Sequence, residues 1–238
     1  MKLHVVVPTI MTNPQQEFNC LDQLVNHFDK ANLDFTIYFV ANFPIQEFDE
    51  YIPKDSRVVK SISNLPFSIS RAINSVFENM EYEDEDILAF IQSDAFFENP
   101  DWIVSLLDVL GTKELNAGVI GVRPHVSSNQ IGTPIDFKGK FEIHPVAWSD
   151  GVMLFRGEVY RKVGGFDENY FGDCESQDFC YLAGKQGYIN YWCSDKNGYF
   201  GYKNKAASFS NKARVNKSEF LQKVEASRRY LIEKWRTN

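Results

Sequence analysis

Short, continuously apolar segments alternate with amphipathic segments over the first half of the chain, and this alternation limits the possible folds more than any other feature. Strands that are apolar at nearly every position, such as ILAFI at residues 87–91, are typical of parallel sheets covered by helices on both faces. The pattern therefore predicts an α/β fold with a mostly parallel sheet and helices on both faces. Strands are predicted at residues 2–10, 33–42, 57–62, 86–94 and 116–122, and helices at 14–31, 68–80 and 100–111.

The second half of the chain changes character near residue 122. Proline and glycine recur between residues 122 and 150, which predicts a loop-rich stretch. Beyond it, strands are predicted at 151–155 and 188–193, and helices at 157–162, 175–186 and about 217–235. The chain has no internal repeat and no low-complexity linker, so a single compact domain is predicted.

Composition and targeting signals narrow the class of protein. The chain has 238 residues, 44% of them apolar, which is enough for a sizeable core. No apolar run approaches the roughly 20 residues that span a bilayer. The opening MKLHVVVPTI is too weakly apolar for a secretory signal, so a cytoplasmic location is expected. The four cysteines show no C-x-x-C spacing and are expected to be free thiols.

Charge is distributed unevenly along the chain. The formal net charge is −7, but residues 203–236 contain ten Lys or Arg and three Glu, a balance of +7 against −14 for the remainder. An acidic body argues against general nucleic-acid binding. The basic C-terminal helix carries an apolar stripe, which usually packs against the domain. Peripheral contact with the inner face of a membrane is the alternative for this helix.

Polar residues follow the predicted strands at the edge where sheets of this kind bind ligands. The strand at 86–94 ends on Gln92, Ser93 and Asp94, within the stretch FIQSDAFFENPDW. Pro8 and Thr9 end the first strand, and Asn42 ends the second. Asp94 is therefore a candidate ligand-binding residue, although an aspartate that only caps a loop would look the same.

Several motifs occur in an order that resembles the family 2 glycosyltransferases, which have the Rossmann-like GT-A fold. VVVPTI resembles the first strand of that family, and FIQSDAFFENPDW resembles its D-x-D strand and the segment that follows. GGFDE at 164–168 and the helix ESQDFCYLAGKQGY match two further family motifs. The helix start NLPFSISRAIN places Asn64, Arg71 and Asn74 at matching positions.

The resemblance implies transfer of a sugar from a nucleotide-diphosphate sugar to an acceptor hydroxyl, usually with inversion. It also implies an Mn²⁺ or Mg²⁺ ion on the donor diphosphate, and a glycan or lipid-linked acceptor in the synthesis of a surface polysaccharide or other glycan. On this basis residues 1–122 form the nucleotide-sugar half and residues 123–200 the acceptor half. Residues 201–238 form the basic helical tail.

The resemblance assigns candidate donor-binding residues. Asp94 matches the metal-binding Asp of D-x-D, whereas Gln92 replaces the first Asp and supplies no charge. Lys203 or Lys205 could then provide positive charge toward the diphosphate. The remaining candidates are Pro8, Thr9 and Asn42 around the nucleotide, Arg71 and Asn74 at the second helix, and Ser93 beside Asp94.

Activation of the acceptor requires a general base, and the sequence offers three carboxylates for that role. Glu175 and Asp178 lie three residues apart in the predicted helix, so they project from one face of its first turn. Ser176 replaces the Asp that the family most often uses, and Asp150 is a third candidate. Acidic residues in a first turn can also serve only the helix dipole.

Two other functions are compatible with the sequence. A nucleotidyltransferase would share the sheet topology, but PTIMTNPQQ lacks the glycine-rich phosphate loop expected after the first strand. A degenerate protein that binds a nucleotide sugar without turning it over is suggested by Gln92 and Ser176. Release of a nucleoside diphosphate would distinguish the transferase from both.

Overall fold

The structure is a computed structural model. It describes residues 1–9, 14–41, 52–62, 68–123, 129–171, 173–195, 197–204 and 217–236. Among these residues the strands and helices follow the predicted alternation. The strands are β1 (Leu3–Thr9), β2 (Phe35–Ala41), β3 (Val58–Ile62), β4 (Ile87–Ile91), β5 (Ala95–Phe97), β6 (Ala117–Arg123), β7 (Ile135–Phe137), β8 (Phe141–Val146), β9 (Val152–Arg156), β10 (Ile189–Ser194) and β11 (Tyr202–Asn204). The helices are α1 (Pro14–Lys30), α2 (Ile69–Phe77), α3 (Trp102–Gly111), α4 (Gly157–Val163), α5 (Glu175–Lys185) and α6 (Lys217–Arg236).

Nine strands form one sheet in the order β3-β2-β1-β4-β9-β6-β10-β8-β7. β1 pairs in parallel with β2 and β4, and β6 pairs in parallel with β10. β9 lies between β4 and β6 and is antiparallel to both, and β8 is antiparallel to β10. The prediction of a mostly parallel sheet is therefore confirmed, with β8 and β9 as the reversed strands.

Helices cover both faces of the sheet, as predicted. On one face α1 and α3 bury Phe28, Trp102 and Leu106 against the strands. On the other, α2, α4 and α5 bury Ile73, Phe179 and similar side chains. Each large apolar side chain buried in this way contributes roughly 1.5–3 kcal/mol to folding. Because both faces are covered, the rims of the sheet are the remaining places where strand ends can meet a ligand.

The region predicted to be loop-rich contains two strands, so that prediction is wrong for residues 135–146. β7 is short and its first two residues are exposed, and β8 contains Pro145, which usually argues against a strand. Pro145 is tolerated because it lies beyond the residues of β8 that pair with β7, and its backbone faces the outer side of the strand. Its carbonyl accepts a hydrogen bond from the Ile131 amide at 2.9 Å on that outer side.

The segment after residue 200 is joined to the body of the protein at two places. β11 pairs antiparallel with β5, directly after Asp94, to form a second, two-stranded sheet. α6 packs on α5 and buries Val224, Ser227 and Leu231. The interpretation of the apolar stripe as a packing surface is therefore confirmed for Val224, Leu231 and the partly buried Trp235, whereas Leu221 is exposed.

Two further expectations concern the cysteines and a membrane-spanning helix. All four cysteines are buried free thiols, as predicted. In the part of the chain that the structure describes, no helix combines the length and apolar character needed to cross a bilayer.

Candidate active site

The direction of the chain gathers the candidate residues at one rim of the main sheet. β1 and β4 end at this rim, with Thr9 and then Gln92–Asp94 at their exits. β9 runs in the opposite direction and starts there, directly after Asp150. α5 also starts there, because it leads back into β10, which is parallel to β6. Glu175, the first residue of α5, therefore lies at the same rim as Asp94.

The residue after β4 is hydrogen-bonded to the residue before β9. The Gln92 amide donates a hydrogen bond to the Gly151 carbonyl at 2.9 Å. Gly151 has a φ of +72°, which favours glycine. A Cβ at this position would lie 3.4 Å from Gln92 Oε1 and 3.6 Å from the Tyr202 hydroxyl. A glycine here keeps space open between the Gln92 and Tyr202 side chains at the rim.

Asp94 is half-buried in the turn between β4 and β5. The turn is closed by a hydrogen bond from the Ala95 amide to the Gln92 carbonyl at 3.0 Å. Burial raises the pKa of Asp94, and its own backbone amide opposes that change. Within the described residues no cationic side chain forms an ion pair with this carboxylate. Asp94 is thus neither in the hydrophobic core nor fully solvated.

The donor atoms near Asp94 are of the kind that suit a hard cation. Carboxylate and amide oxygens are typical ligands of Mg²⁺ and Mn²⁺, and Asp94 and Gln92 supply them. Among the described residues, however, no group of three or more His, Cys, Asp or Glu could hold a metal. A cation at Asp94 would need most of its ligands from phosphate oxygens and water, as Mg²⁺ usually does.

Arg123 is a functional candidate that the sequence reasoning missed. It is the last residue of β6, and its guanidinium forms an ion pair with Asp150. The guanidinium carbon also lies 5.1 Å from the centroid of the buried Trp192 ring. Burial lowers the pKa of Arg123. A basic residue at the exit of a predicted strand was the available signal, but that strand was predicted to end one residue earlier.

Glu175 is buried at the start of α5. The residue is 6% exposed. Among the described residues, its Oε2 atom has no hydrogen-bond partner. Burial raises the pKa of Glu175 to about 7, and the nearby Asp173 carboxylate adds to the rise. Cys174, which precedes it, has a φ of +74°. A carboxyl group that is half-ionised near neutral pH is suited to accept a proton.

Asp178 lies one turn later on α5 and has a different environment. Its side chain is 0% exposed. It accepts hydrogen bonds from Lys234 Nζ at 2.8 Å, Trp235 Nε1 at 2.7 Å and the Tyr170 hydroxyl at 3.2 Å. Both carboxylate oxygens are therefore occupied by groups of the protein. Of the three carboxylates predicted as bases, Asp150 and Asp178 are paired, whereas one oxygen of Glu175 has no partner in the described part of the chain.

Asn74 lies inside α2 and holds the turn at residues 165–168. Its amide donates to the Phe166 carbonyl at 2.7 Å, and its oxygen accepts from the Phe166 amide at 3.0 Å and the Tyr160 hydroxyl at 2.9 Å. The predicted nucleotide contact of Asn74 gains no support from this geometry, because the amide is used within the protein. Gly165, at a φ of +87°, allows the turn to approach Asn74 closely.

The remaining candidates have the following positions. Pro8 and Thr9 are buried at the end of β1, and Ser93 is half-buried beside Asp94. Arg71, near the start of α2, forms an ion pair with Glu168 at 3.3 Å. Lys203 is exposed and pairs with Glu98, so its ammonium group is used away from Asp94. Asn42, Asn64 and Lys205 lie outside the described residues.

Solved structures resemble this fold. No protein-family model matches the chain, and no curated protein matches its sequence. The catalytic domain of Drosophila beta1,4galactosyltransferase 7, solved with xylobiose, matches with a TM-score of 0.59 and 14% identity over 91% of this chain and 75% of that chain. A mannosyltransferase from Pyrobaculum calidifontis, solved with GDP-Man and Mn²⁺, matches with a TM-score of 0.56 and 15% identity over 82% of this chain and 55% of that chain.

The chain has the GT-A fold. A cytidylyltransferase, the Francisella tularensis 2-C-methyl-D-erythritol 4-phosphate enzyme, also matches, with a TM-score of 0.51 and 14% identity over 89% of this chain and 97% of that chain. At these identities the likeness establishes the fold and leaves the substrate open. The single GT-A domain predicted from the motifs is confirmed.

The GT-A fold arranges the polar groups of the rim in a defined order. Asp94 follows β4, the Arg123–Asp150 pair lies at β9 and β6, and Glu175 starts α5, which packs over β6 and β10. Neighbouring strands are about 4.8 Å apart, so Arg123 lies roughly two strand spacings, or 10 Å, from the exit of β4.

Proposed function

We propose that this protein transfers a sugar from a nucleotide-diphosphate sugar to an acceptor hydroxyl, and that Glu175 is the general base. The observation that carries the proposal is the pair of unlike carboxyl groups at one rim. Asp94 is half-buried at a strand exit, where ligands of α/β sheets bind. Glu175 is buried, has a pKa of about 7 and has an oxygen without a partner among the described residues.

The reaction follows from the order of the groups along the rim. The donor diphosphate binds beside Asp94, the sugar lies over Gly151 and the Arg123–Asp150 pair, and the acceptor hydroxyl lies at Glu175. Glu175 takes the hydroxyl proton while the acceptor oxygen bonds to the anomeric carbon. The bond from that carbon to the phosphate oxygen breaks, and the nucleoside diphosphate leaves with the electron pair. Attack opposite to the leaving group inverts the anomeric centre.

The environment of Glu175 favours its assignment as the base over the other two carboxylates. A base must have a free oxygen within reach of the substrate and a pKa near the working pH. Asp178 is held by Lys234 and Trp235, and Asp150 is held by Arg123. A glutamate that only complemented the helix dipole would remain solvated and would gain nothing from burial, because burial opposes the charge that the dipole attracts.

Charge on the leaving diphosphate requires neutralisation. A divalent cation bound to Asp94 would supply this chemistry as a Lewis acid, and the mannosyltransferase with the same fold was solved with Mn²⁺ and GDP-Man. Gln92 adds a neutral oxygen and no charge. Arg123 adds fixed positive charge on the sugar side of the site, and Asp150 orients its guanidinium.

The chemistry of the acceptor half suggests the class of partner. A buried base selects a neutral hydroxyl, as in a glycan or the sugar of a lipid-linked acceptor, and synthesis of a surface polysaccharide or another glycan fits this use. We assign residues 1–122 to donor binding and residues 123–200 to acceptor binding, with Arg123 and Asp150 where the two halves meet.

The proposal is tested by incubating the protein with UDP-, GDP- and TDP-sugars and Mn²⁺, with measurement of nucleoside diphosphate release. With the active donor, Asp94→Ala should reduce release at least about a hundredfold, because one metal ligand and its charge are lost. Asp101→Ala is the matched control, because Asp101 is an exposed aspartate that makes no side-chain cap bond at the start of α3. Both variants should show wild-type circular dichroism. Unchanged release by Asp94→Ala would refute its role.

Nucleotidyl transfer is the second candidate, favoured by the likeness to the cytidylyltransferase. That reaction starts from a nucleoside triphosphate and a sugar or alcohol phosphate, and it releases pyrophosphate. Measuring pyrophosphate and nucleoside diphosphate in parallel separates the two reactions. Thermal stabilisation by a nucleotide sugar with neither product would indicate a protein that binds the donor without turnover.

A further inference from the structure

The C-terminal helix α6 packs on the segment that carries Glu175. Its bonds reach residues on both sides of that glutamate. On the N-terminal side, Ser227 Oγ accepts a hydrogen bond from the Phe171 amide at 2.9 Å, and Arg228 Nε donates to Asp173 at 2.6 Å. On the C-terminal side, Lys234 and Trp235 bind Asp178. α6 therefore binds the chain on both sides of Glu175.

Lys234 is the centre of these attachments. Its ammonium group lies 2.7 Å from Asp167 and 2.8 Å from Asp178, and its side chain is 23% exposed. The Tyr230 hydroxyl donates to the same oxygen of Asp167 at 3.0 Å. Lys234 therefore joins the turn after the two glycines to the first turns of α5. The residues between these two points, 168–177, include Glu175.

We propose that α6 is a clasp for the acceptor side of the site, and that Lys234 is a positioning residue that keeps Glu175 buried in its working position. The assignment of Glu175 as the base rests on the proposed function; the mechanical role of Lys234 does not. The clasp acts through Asp178, because this carboxylate is fully buried and Lys234 is its cationic partner.

The physical reason is the cost of a buried charge without a partner. If Lys234 loses its charge, Asp178 must take up a proton or turn toward water, since an unpaired carboxylate is unstable in the interior. Turning toward water would displace α5 at its first turn. Water would then reach Glu175, which lies three residues before Asp178 on the same face of the helix.

α6 also holds the charged group nearest in effect to Glu175. Asp173 is the nearby charge that raises the pKa of Glu175, and Arg228 of α6 holds it. Cys174 and Tyr170 contribute no charge near neutral pH, because burial raises the pKa values of both. Release of α6 would expose Glu175 to water, which lowers its pKa, and free Asp173 from Arg228, which raises it. Burial is the larger cause of the raised pKa, so the pKa of Glu175 should fall on balance.

The test compares Lys234→Met with Lys234→Arg and with Arg229→Met, a control on the exposed side of α6. Two readouts require no substrate. The first is amide hydrogen exchange of residues 173–178. The second is the pH dependence of the stability difference between each variant and its Glu175→Gln double variant. This difference grows with pH between the unfolded and the folded pKa of Glu175, and the pH at which it levels off reports the folded pKa.

The expected result is specific to the positioning role. Lys234→Met should speed exchange at 173–178 by about tenfold or more. The levelling-off pH should fall from about 7 toward the ordinary 4.5, and the total growth of the stability difference should shrink with it. Lys234→Arg should restore both, and Arg229→Met should change neither. If Lys234→Met does not fold, Trp235→Phe removes only one donor to Asp178 and should show the same changes in smaller measure.

Two outcomes would overturn the proposal. In one, Lys234→Met lowers stability but leaves the levelling-off pH and the local exchange unchanged, so that Lys234 only stabilises the fold. In the other, Lys234→Arg and Lys234→Met behave alike, so that the charge is irrelevant. Neither outcome bears on sugar transfer. Conversely, absence of nucleoside diphosphate release with every donor would refute the proposed function and leave the clasp intact.

Discussion

Replacement of Glu175 by Gln separates the burial of this carboxyl group from its role in catalysis. Gln is nearly isosteric with Glu and cannot ionise, so the variant keeps the packing and removes the charge. Burial raises the pKa of Glu175 from 4.5 to about 7. The folded protein therefore holds a proton that the unfolded chain releases, and wild-type stability must fall with rising pH between these two values.

The magnitude follows from the size of that change. Each tenfold change in proton affinity corresponds to about 1.4 kcal/mol, so the ionised glutamate costs the folded protein roughly 3 kcal/mol above pH 7. Below pH 4.5 the glutamate is protonated in both states and the cost is absent. Glu175→Gln should thus match the wild type in acid and exceed it in stability at pH 8, while losing catalytic turnover. A gain in stability at the expense of activity is typical of catalytic groups.

The assay is urea denaturation of the wild type and Glu175→Gln at pH 5 and pH 8, followed by tryptophan fluorescence. The stability difference between the two proteins should grow by about 2 kcal/mol or more between these pH values, since part of the change already occurs below pH 5. Glu114→Gln, at an exposed glutamate, should show no such growth. A difference for Glu175→Gln that is the same at both pH values would show that the carboxyl group is not buried as described.

Three further predictions concern the site and its support. The rate of sugar transfer should rise about tenfold per pH unit below pH 7 and level off above it, because the base must be ionised; a rate that is flat from pH 5 to pH 8 in initial-rate assays contradicts Glu175 as the base. Asn74→Ala should lower the free energy of unfolding by roughly 2–4 kcal/mol, since it leaves buried groups of Phe166 and Tyr160 without partners; in urea denaturation, a loss no greater than that of the exposed Asn79→Ala would refute this reading. Gly151→Ala should cost about 1–2 kcal/mol because of the positive φ, and it should weaken the thermal stabilisation by the active nucleotide sugar, because the methyl group enters the space beside Gln92; full stabilisation would place the donor elsewhere.

Local patterns in the chain were sufficient to predict most of its elements. The continuous apolar runs at β1, β2 and β4 exist because these strands are covered on both faces, and that requirement is visible in each segment alone. The position of Asp94 at a strand exit was predictable for the same reason, since a charge just after an apolar run must lie where the sheet ends. The order of the motifs then indicated the GT-A fold.

The partners of the acidic residues depended on the tertiary structure. Glu175 and Asp178 are equivalent in sequence terms, three residues apart in the first turn of one helix. They differ because α6, some 50 residues later, delivers Lys234 and Trp235 to Asp178, with separations of 56 and 57 residues. Likewise Asp150 is paired by Arg123 from another strand, and the amide of Asn74 is used by a turn at Phe166.

Sequence alone thus determined most of the strands and helices, although not β7 and β8, and that a carboxylate stands at the exit of β4, because hydrophobic periodicity is a local property. Only the tertiary structure decided that β9 runs antiparallel between β4 and β6, and that Glu175 is buried with one oxygen lacking a partner among the described residues. Burial and pairing depend on residues distant in the chain, and these set which carboxyl group can take a proton near neutral pH.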